Sequence, residues 1–218
     1  MSLTRLLEDQ AVKQRVPGVA VGLLADGEVT TAYAGVADVR TKEPVTRATR
    51  FAIGSLTKSM VATVIAALAD SGRLSLDKTI DEYVPEVRGA KWSSEATVRA
   101  LLANRSSLPL RADWEFTGLD GDDDGILSRF ASALASGESH GPAWSYTNAS
   151  WSLLGRLIER VTERVWEEAM RSELLTPLGM EQTTFANSPF VEPRATGHEA
   201  TEGDPRPVDA WTARAFAP

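Results

Sequence analysis

A chain of 218 residues, 43% hydrophobic and 24% charged, has the composition of a globular protein with one sizeable core. Its 30 acidic residues outnumber its 23 lysines and arginines, and the resulting formal net charge of -7 argues against a nucleic-acid or anionic-membrane partner. With no cysteine, the chain can form no disulfide, thiolate nucleophile or cysteine-ligated metal site. Because its two histidines are His140 and His198, a histidine-rich metal centre is not expected, and we expect no cofactor.

The N-terminal residues are typical of an amphipathic helix rather than of an export signal. Residues 3–14 place Leu3, Leu6, Leu7 and Val12 at helical spacing, without the continuous apolar stretch or cleavage site of a signal peptide. No apolar run in the sequence approaches the ~18 residues that span a bilayer. We therefore expect no membrane span and a soluble cytoplasmic protein, or a secreted or periplasmic one if a leader has been removed.

A β-hairpin is predicted next. Residues 19–24 are almost wholly apolar, residues 28–36 are rich in strand-forming residues, and Asp26-Gly27 between them is a strong turn signal. Because the first run contains no polar side chains, we expect that strand to be covered on both faces.

A long helix is predicted in the middle of the chain. Residues 51–53 indicate a short buried strand, Gly54 a turn, and Ser55 the start of a helix that ends near Gly72 as a C-cap. Apolar residues cover much of this helix, so we expect it to be the central helix of the fold. They are Met60, Val61, Val64, Ile65 and Leu68.

Shorter helices and loops are predicted after the central helix. Residues 74–85 indicate a loop and a short helix, and residues 97–103 indicate a helix with Thr97 as its N-cap. An acidic, glycine-rich surface loop at 111–125 is followed by a predicted helix at 126–136.

The last third of the chain begins with a strongly amphipathic helix. It follows Asn148, and its apolar stripe comprises Trp151, Leu154, Leu157, Ile158 and Val161. A further helical piece is predicted at 165–175. The tail from Asn187 lacks periodicity, so we interpret it either as a flap over a site or as a sign that the natural chain continues.

The candidate chemistry begins with Ser55 and Lys58. Their i, i+3 spacing puts both side chains on one face of a helix, and a serine hydroxyl becomes a nucleophile when a nearby base takes its proton. The start of a helix also offers free N–H groups to a developing oxyanion. Taken alone, the S-x-x-K pattern fits equally a serine at a helix N-terminus followed by a solvated lysine.

Tyr146 and Asn148 make the pattern specific. With them, the sequence resembles the serine β-lactamase and penicillin-binding-protein superfamily, in its class C β-lactamase, D,D-peptidase and family VIII esterase branch. The matching segments occur in the family's order along nearly the whole chain. They are Val16-Pro17-Gly18-Val19-Ala20-Val21, Phe51-Ala52-Ile53-Gly54-Ser55-Leu56-Thr57-Lys58, Leu74-Ser75-Leu76-Asp77, Trp144-Ser145-Tyr146-Thr147-Asn148 and Pro177-Leu178-Gly179-Met180.

The resemblance implies a role for each of these side chains. Ser55 would attack a carbonyl and form an acyl-enzyme, Lys58 and Tyr146 would share the general-base work, and Asn148 would donate a hydrogen bond to the substrate amide or to the lysine. A phenol has an ordinary pKa of about 10 and needs a nearby cation to act as a base at neutral pH, and Lys58 is the candidate cation.

Structural interpretations of the same residues remain open. Tyr146 can bury its ring and leave its hydroxyl to the backbone, and Asn148 can cap the helix that follows. His140 is interpreted as a surface-loop residue, and His198 as a loop or rim residue rather than a member of a catalytic triad.

Two departures from the family pattern stand out. The family's His-x-Ser-Gly is replaced by residues 104–107, Asn-Arg-Ser-Ser, which indicates structural drift or a reshaped pocket floor. The family's third motif, a Lys-Thr-Gly or His-x-Gly strand, has no counterpart after Pro177. One oxyanion donor contributes ~2.7–4 kcal/mol to transition-state stabilisation, so we expect this chain to be incomplete as a catalyst. It would then be a fragment or one piece of a larger protein.

We therefore predict an α+β fold, an antiparallel sheet flanked by helices plus a mainly helical lobe, with the family's C-terminal strands absent from the sequence. The expected division is 1–73, 74–160 and 161–218 within one β-lactamase-related domain. The predicted function is a serine hydrolase of esters, amides or β-lactams, and the alternative is a non-catalytic binding module or fragment. Expected partners are a small-molecule or peptide substrate and either a missing C-terminal segment or further copies of the chain.

Overall fold

A computed structural model describes residues 2–106, 108, 131, 134–135, 144–185, 193–199 and 203–208. The chain divides into two compact units. The first comprises Met1–Ala52 with Ser188–Trp211, and the second comprises Ile53–Asn187 with Thr212–Pro218. Helices and strands are both present, in keeping with the predicted α+β class.

The first unit contains the predicted hairpin. Strand β1 (Gly18–Ala25) pairs antiparallel with β2 (Glu28–Gly35) along its full length. Asp26 and Gly27 form the two-residue turn, and both have positive φ, 50° and 80°, as the right-handed twist of a tight hairpin requires. The turn chemistry of the sequence therefore predicts this element correctly.

Helix α1 (Leu3–Lys13) packs against the hairpin. Its Leu7 forms a small buried cluster with Ala32 and Ala34 of the second strand. The predicted apolar stripe is only partly correct, because Val12 is 80% exposed. The buried positions of α1 are Leu7 and Ala11, four residues apart, which places them one above the other on a helix.

The expectation that β1 is covered on both faces is wrong for the described residues. Leu24 is 69% exposed, and Leu23 is also largely exposed. An apolar run shows that a strand can be buried, whereas the elements that pack against it decide whether it is. Among the described elements, α1 is the helix that packs on this hairpin.

The second unit is built on helix α2 (Thr57–Asp70), which a 3-10 turn at Gly54–Leu56 precedes. Its Val61, Val64, Ile65 and Leu68 are buried, as predicted for a central helix. Beyond its C-terminus, Gly72 has φ 72°, the left-handed conformation of a helix-terminating glycine, so the predicted end of this helix is confirmed.

The predicted buried strand at 51–53 is wrong. These residues have no strand conformation, and Phe51 and Ile53 are exposed. Directly before the triplet, Arg50 forms an isolated parallel β-bridge with Arg194. The backbone of Ile53 is already helical, with φ -87° and ψ -8°, so the apolar triplet leads into the 3-10 turn instead of forming a strand.

Further helices follow α2 in the described part of the second unit, and the third of them in chain order contacts α2 and the other three. They are α3 (Ile80–Tyr83), α4 (Val98–Leu102), α5 (Asn148–Thr162) and α6 (Trp166–Met170), the last continued by a π turn at Arg171–Leu175. The main core cluster lies among them. Its largest fully buried side chains are Trp92, Ile65, Leu68, Ile80, Leu101, Leu134, Leu153, Leu154, Leu157, Ile158 and Met170.

The start of α4 and the apolar stripe of α5 agree with their predictions. The Thr97 hydroxyl accepts the Ala100 N–H at the start of α4, as predicted. The predicted stripe of α5 is buried at Trp151, Leu154, Leu157 and Ile158, and Val161 is partly buried against the same core.

Several expected features fall partly or wholly outside the described residues. The acidic loop at 111–125 and His140 lie outside them, and of the predicted helix at 126–136 only residues 131, 134 and 135 are described. In the tail, strand β3 (His198–Glu199) pairs antiparallel with β4 (Arg206–Pro207). His198 therefore lies in a short strand, where its Nε2 accepts the Val39 N–H at 3.3 Å.

Candidate active site

Ser55 lies in the 3-10 turn that leads into α2. Gly54 directly before it has φ 52°, a left-handed conformation that turns the chain sharply and that glycine adopts without steric cost. Ser55 is exposed, and it belongs to the first helical turn, whose N–H groups have no partner within the helix. The serine hydroxyl is thus accessible beside the positive end of the helix dipole.

Lys58 is buried next to this serine, with 7% of its surface exposed. Its Nζ donates to Ser55 Oγ at 3.2 Å and to Asn148 Oδ1 at 2.8 Å. Burying an ammonium group is unfavourable unless hydrogen bonds replace its water, and these two oxygens replace part of it. In the part of the chain that the structure describes, no carboxylate forms an ion pair with Lys58.

Tyr146 completes the contact with Ser55. Its hydroxyl donates to Ser55 Oγ at 2.7 Å, and its ring centroid lies 5.1 Å from Lys58 Nζ, within the range of a cation–π interaction. Tyr146 is 49% exposed, so the interpretation in which this residue buries its ring is wrong. One hydroxyl oxygen is therefore contacted by an ammonium and by a phenol.

Asn148 is the first residue of α5 and not its cap. The capping residue is Thr147, whose hydroxyl accepts the Ser150 N–H at 3.3 Å. The expected donation from Asn148 to the lysine is wrong in direction, because an ammonium has no lone pair and the Asn148 amide oxygen accepts from it.

Asn104 contacts the segments that carry Tyr146 and Asn148, a role that the sequence did not predict for it. Its backbone carbonyl accepts the Ser145 N–H at 2.8 Å, and its side-chain carbonyl accepts the Trp151 indole N–H at 3.0 Å. Its φ is 53°, and asparagine is the non-glycine residue that most readily adopts such a left-handed conformation. An asparagine directly after a predicted helix was the available signal.

Apolar side chains flank the Ser55 hydroxyl in sequence and are exposed. Ile53 and Leu56 lie on either side of the 3-10 turn's glycine and serine, and Trp144, two residues before Tyr146, is 69% exposed. Exposed large apolar residues near a reactive group are typical of a ligand-binding surface.

Two carboxylates with shifted pKa values lie elsewhere in the described part of the chain. Hydrogen bonds from the Arg40 side chain and backbone hold the pKa of Asp38 well below its usual range, and the Thr196 hydroxyl adds a further bond at 2.8 Å. In the second unit, burial raises the pKa of Glu159, while its bond to Arg156 at 2.8 Å opposes that change. Both carboxylates hold structure together.

Metal ligation and membrane insertion find no support in the described ranges. No cluster of three or more histidines, aspartates or glutamates there is placed to hold a metal ion. Likewise, none of the described helices combines the length and apolar character needed to cross a bilayer.

The chain belongs to the Beta-lactamase family, whose model matches residues 3–218. Penicillin-binding protein 4 of Amycolatopsis lactamdurans is 32% identical over 206 residues, which cover 91% of this chain and 53% of that protein. The predicted family resemblance is thereby confirmed.

Solved structures show the same fold. The D-amino acid amidase from Ochrobactrum anthropi SV3, complexed with L-phenylalanine amide, matches with a TM-score of 0.81 and 26% identity, over 98% of this chain and 62% of that one. A class C β-lactamase matches with a TM-score of 0.79 and 27% identity, over 98% and 58%. The β-lactamase-like α+β fold is confirmed, and the chain spans about half the length of the curated relatives it matches.

Proposed function

We propose that Ser55 is the nucleophile of a hydrolase that acts on an ester, amide or β-lactam through an acyl-enzyme. The observation that carries the proposal is the convergence of Lys58 Nζ and Tyr146 Oη on Ser55 Oγ, at 3.2 and 2.7 Å. These three groups come from two segments of the chain and meet at the start of α2. Such an arrangement supplies both a nucleophile and a base within hydrogen-bond reach.

The first step forms a bond between Ser55 Oγ and the substrate carbonyl carbon. The serine proton passes to whichever of Tyr146 and Lys58 is unprotonated, and the carbonyl oxygen takes up the negative charge. The Ser55 N–H in the first helical turn is positioned to donate to that oxygen. The tetrahedral intermediate then collapses, the proton is delivered to the leaving amine or alcohol, and an ester of Ser55 remains.

The second step returns the enzyme to its starting state. Water attacks the acyl carbon and gives its proton to the same base, and Ser55 Oγ leaves with a proton as the acid product is released. Asn148 orients the ammonium for both steps by accepting from Lys58 at 2.8 Å.

The substrate class follows from the chemistry and from the names of the relatives. A D-amino acid amidase and a class C β-lactamase, whose names specify a D-amino acid amide and a β-lactam, share this fold. The exposed Leu56 and Trp144 favour a substrate with an apolar group next to its reactive carbonyl.

Covalent labelling tests the proposal. The chain is incubated with a fluorescent penicillin or with a fluorophosphonate, and intact mass and peptide mapping are recorded. We expect one adduct, on Ser55, and none in Ser55→Ala. Ser59→Ala is the matched control, because Ser59 is an exposed serine four residues further on, in the first turn of α2.

Labelling of Ser55→Ala to the same extent as the parent, or no adduct on the folded parent, overturns the proposal. Hydrolysis of a chromogenic cephalosporin and of a p-nitrophenyl ester is followed in parallel. Stoichiometric labelling without turnover assigns the chain to the binding-module alternative, because the acyl-enzyme then forms and persists.

A further inference from the structure

We propose that Asn104 is a positioning residue that sets the placement of Tyr146 against Ser55. The inference rests on the proposed function, since Tyr146 matters to it as a member of the catalytic group. Its starting point is that the phenol must lie within hydrogen-bond distance of Ser55 Oγ although its own segment, residues 144–147, belongs to neither helix nor strand.

A backbone hydrogen bond joins Asn104 to the segment that carries Tyr146. The Ser145 N–H donates to the Asn104 carbonyl at 2.8 Å, directly before Tyr146 in the chain. A hydrogen bond at this point fixes the peptide from which the tyrosine side chain projects. A shift of this peptide would move the phenol oxygen relative to Ser55 Oγ.

A side-chain contact joins Asn104 to the following helix. Asn104 Oδ1 accepts the Trp151 indole N–H at 3.0 Å, and Trp151 is buried in the first turns of α5. That helix starts with Asn148, the residue that accepts from Lys58. Asn104 thus joins the segment that carries the phenol to the helix that carries the amide.

The backbone conformation and the contacts of this residue explain why it is asparagine. The chain leaves α4 at this point, and φ of 53° at position 104 is strained for most side chains. Glycine tolerates the same angle but has no side-chain carbonyl to accept the indole N–H. Asparagine supplies both the conformation and the acceptor.

Three buried hydroxyls provide a parallel link. Ser106 Oγ lies 3.4 Å from Ser150 Oγ, which in turn lies 3.1 Å from the hydroxyl of the helix cap Thr147. Residues 104–106 are therefore attached to the start of α5 through two separate sets of side-chain contacts.

The test reads the environment of Tyr146 directly. The chain contains three tyrosines, so labelling with ring-carbon-13 tyrosine gives three signals, which Tyr33→Phe, Tyr83→Phe and Tyr146→Phe assign. We expect Asn104→Gly, which keeps the backbone angle and removes the side-chain acceptor, to shift the Tyr146 signal and leave the other two unchanged. Asn104→Asp, which keeps an acceptor oxygen, restores the parent position.

The matched control is Glu163→Gly. Glu163 has φ 58° after α5, so this variant introduces glycine at a second left-handed position in the same unit without touching the Asn104 contacts. It is expected to leave all three signals in place. Trp151→Phe, which removes the indole donor, is expected to shift the same tyrosine signal as Asn104→Gly, and it carries the test if the glycine variant does not fold.

Kinetics provide the second readout. Acylation by the fluorescent penicillin at saturation is expected to fall about ten- to hundredfold in Asn104→Gly, with the half-saturating concentration little changed, because misplacement affects the reacting group more than binding. The double variant Asn104→Gly with Trp151→Phe is expected to be acylated at the same rate as either single variant. An unmoved Tyr146 signal in both variants overturns the inference, whereas a moved signal in a chain that never acylates overturns only the proposed function.

Discussion

In the proposed reaction, Lys58 and Tyr146 share the removal of the Ser55 proton. The lysine is buried and held by two oxygens, and the tyrosine is half-exposed and lies closer to the serine oxygen. The shorter contact favours the phenol oxygen as the direct partner of the serine hydroxyl. In this proposal the lysine acts through the phenol, whose ring centroid lies 5.1 Å from Lys58 Nζ.

Tyr146→Phe tests this division at the level of a single oxygen atom. The ring stays over Lys58 while the contact to Ser55 is lost, so acylation is expected to fall by about 10²–10⁴-fold, the usual contribution of a general base. Stopped-flow acylation by a fluorescent penicillin measures the rate. Tyr83→Phe is the control, because the hydroxyl of Tyr83, a residue of α3, accepts the Ser75 N–H instead of contacting Ser55. Parent-like acylation by Tyr146→Phe would assign the base role to Lys58 alone.

Helix α5 brings Asn148 into contact with Lys58. It begins at a defined residue because the Thr147 hydroxyl satisfies an N–H that the helix cannot. Its buried stripe then fixes its rotation against the core. These two features together place Asn148 at Lys58, 90 residues away in the chain.

Thr147→Val removes the cap while keeping the shape of the side chain. We expect a loss of about 1 kcal/mol in the free energy of unfolding, since the Ser150 N–H then has no side-chain acceptor. The melting temperature should fall by roughly 2–4 °C in a chain of this size. Thr147→Ser should recover most of the loss. Equal stability of the valine variant and the parent would show that the hydroxyl does not stabilise this helix.

Local sequence patterns predict burial incorrectly at β1 and at residues 51–53. Both are apolar, and both were expected to be buried, yet Leu24 and Phe51 are exposed in the structure. The hairpin turn and the stripe of α5 were predicted correctly, because local turn chemistry and helical periodicity act between residues that are close in sequence. Coverage of a strand depends on elements that lie far away in sequence.

At the scale of the whole molecule, each unit closes on contacts between distant parts of the chain. In the first unit, the Asp38 carboxylate accepts from Arg40 and from the hydroxyl of Thr196, 158 residues further on. This bond attaches the tail segment to the hairpin region. The predicted division into 1–73, 74–160 and 161–218 remains a prediction.

Asp38→Asn tests that attachment through its pH dependence. Because the pKa of Asp38 is lowered in the folded state, its carboxylate stabilises the fold above its ordinary pKa of about 4, and this stabilisation is lost as the pH falls below that value. The variant should melt at a lower temperature than the parent at pH 7, and the difference should narrow below pH 4. Melting curves from pH 7 to pH 2.5 measure it. A difference that stays constant over this range would contradict the role given to Asp38.

The sequence by itself determined the family, the hairpin, the central helix and the pairing of Ser55 with Lys58. Helix geometry fixes that pairing, since residues three apart lie on one face. Only the tertiary structure decided that Tyr146 reaches the same oxygen, that the Asn148 side-chain oxygen accepts from Lys58, and that Asn104 accepts from Trp151. These contacts join residues 47 to 91 positions apart, and the path of the chain through the core, which no local pattern specifies, sets their distances.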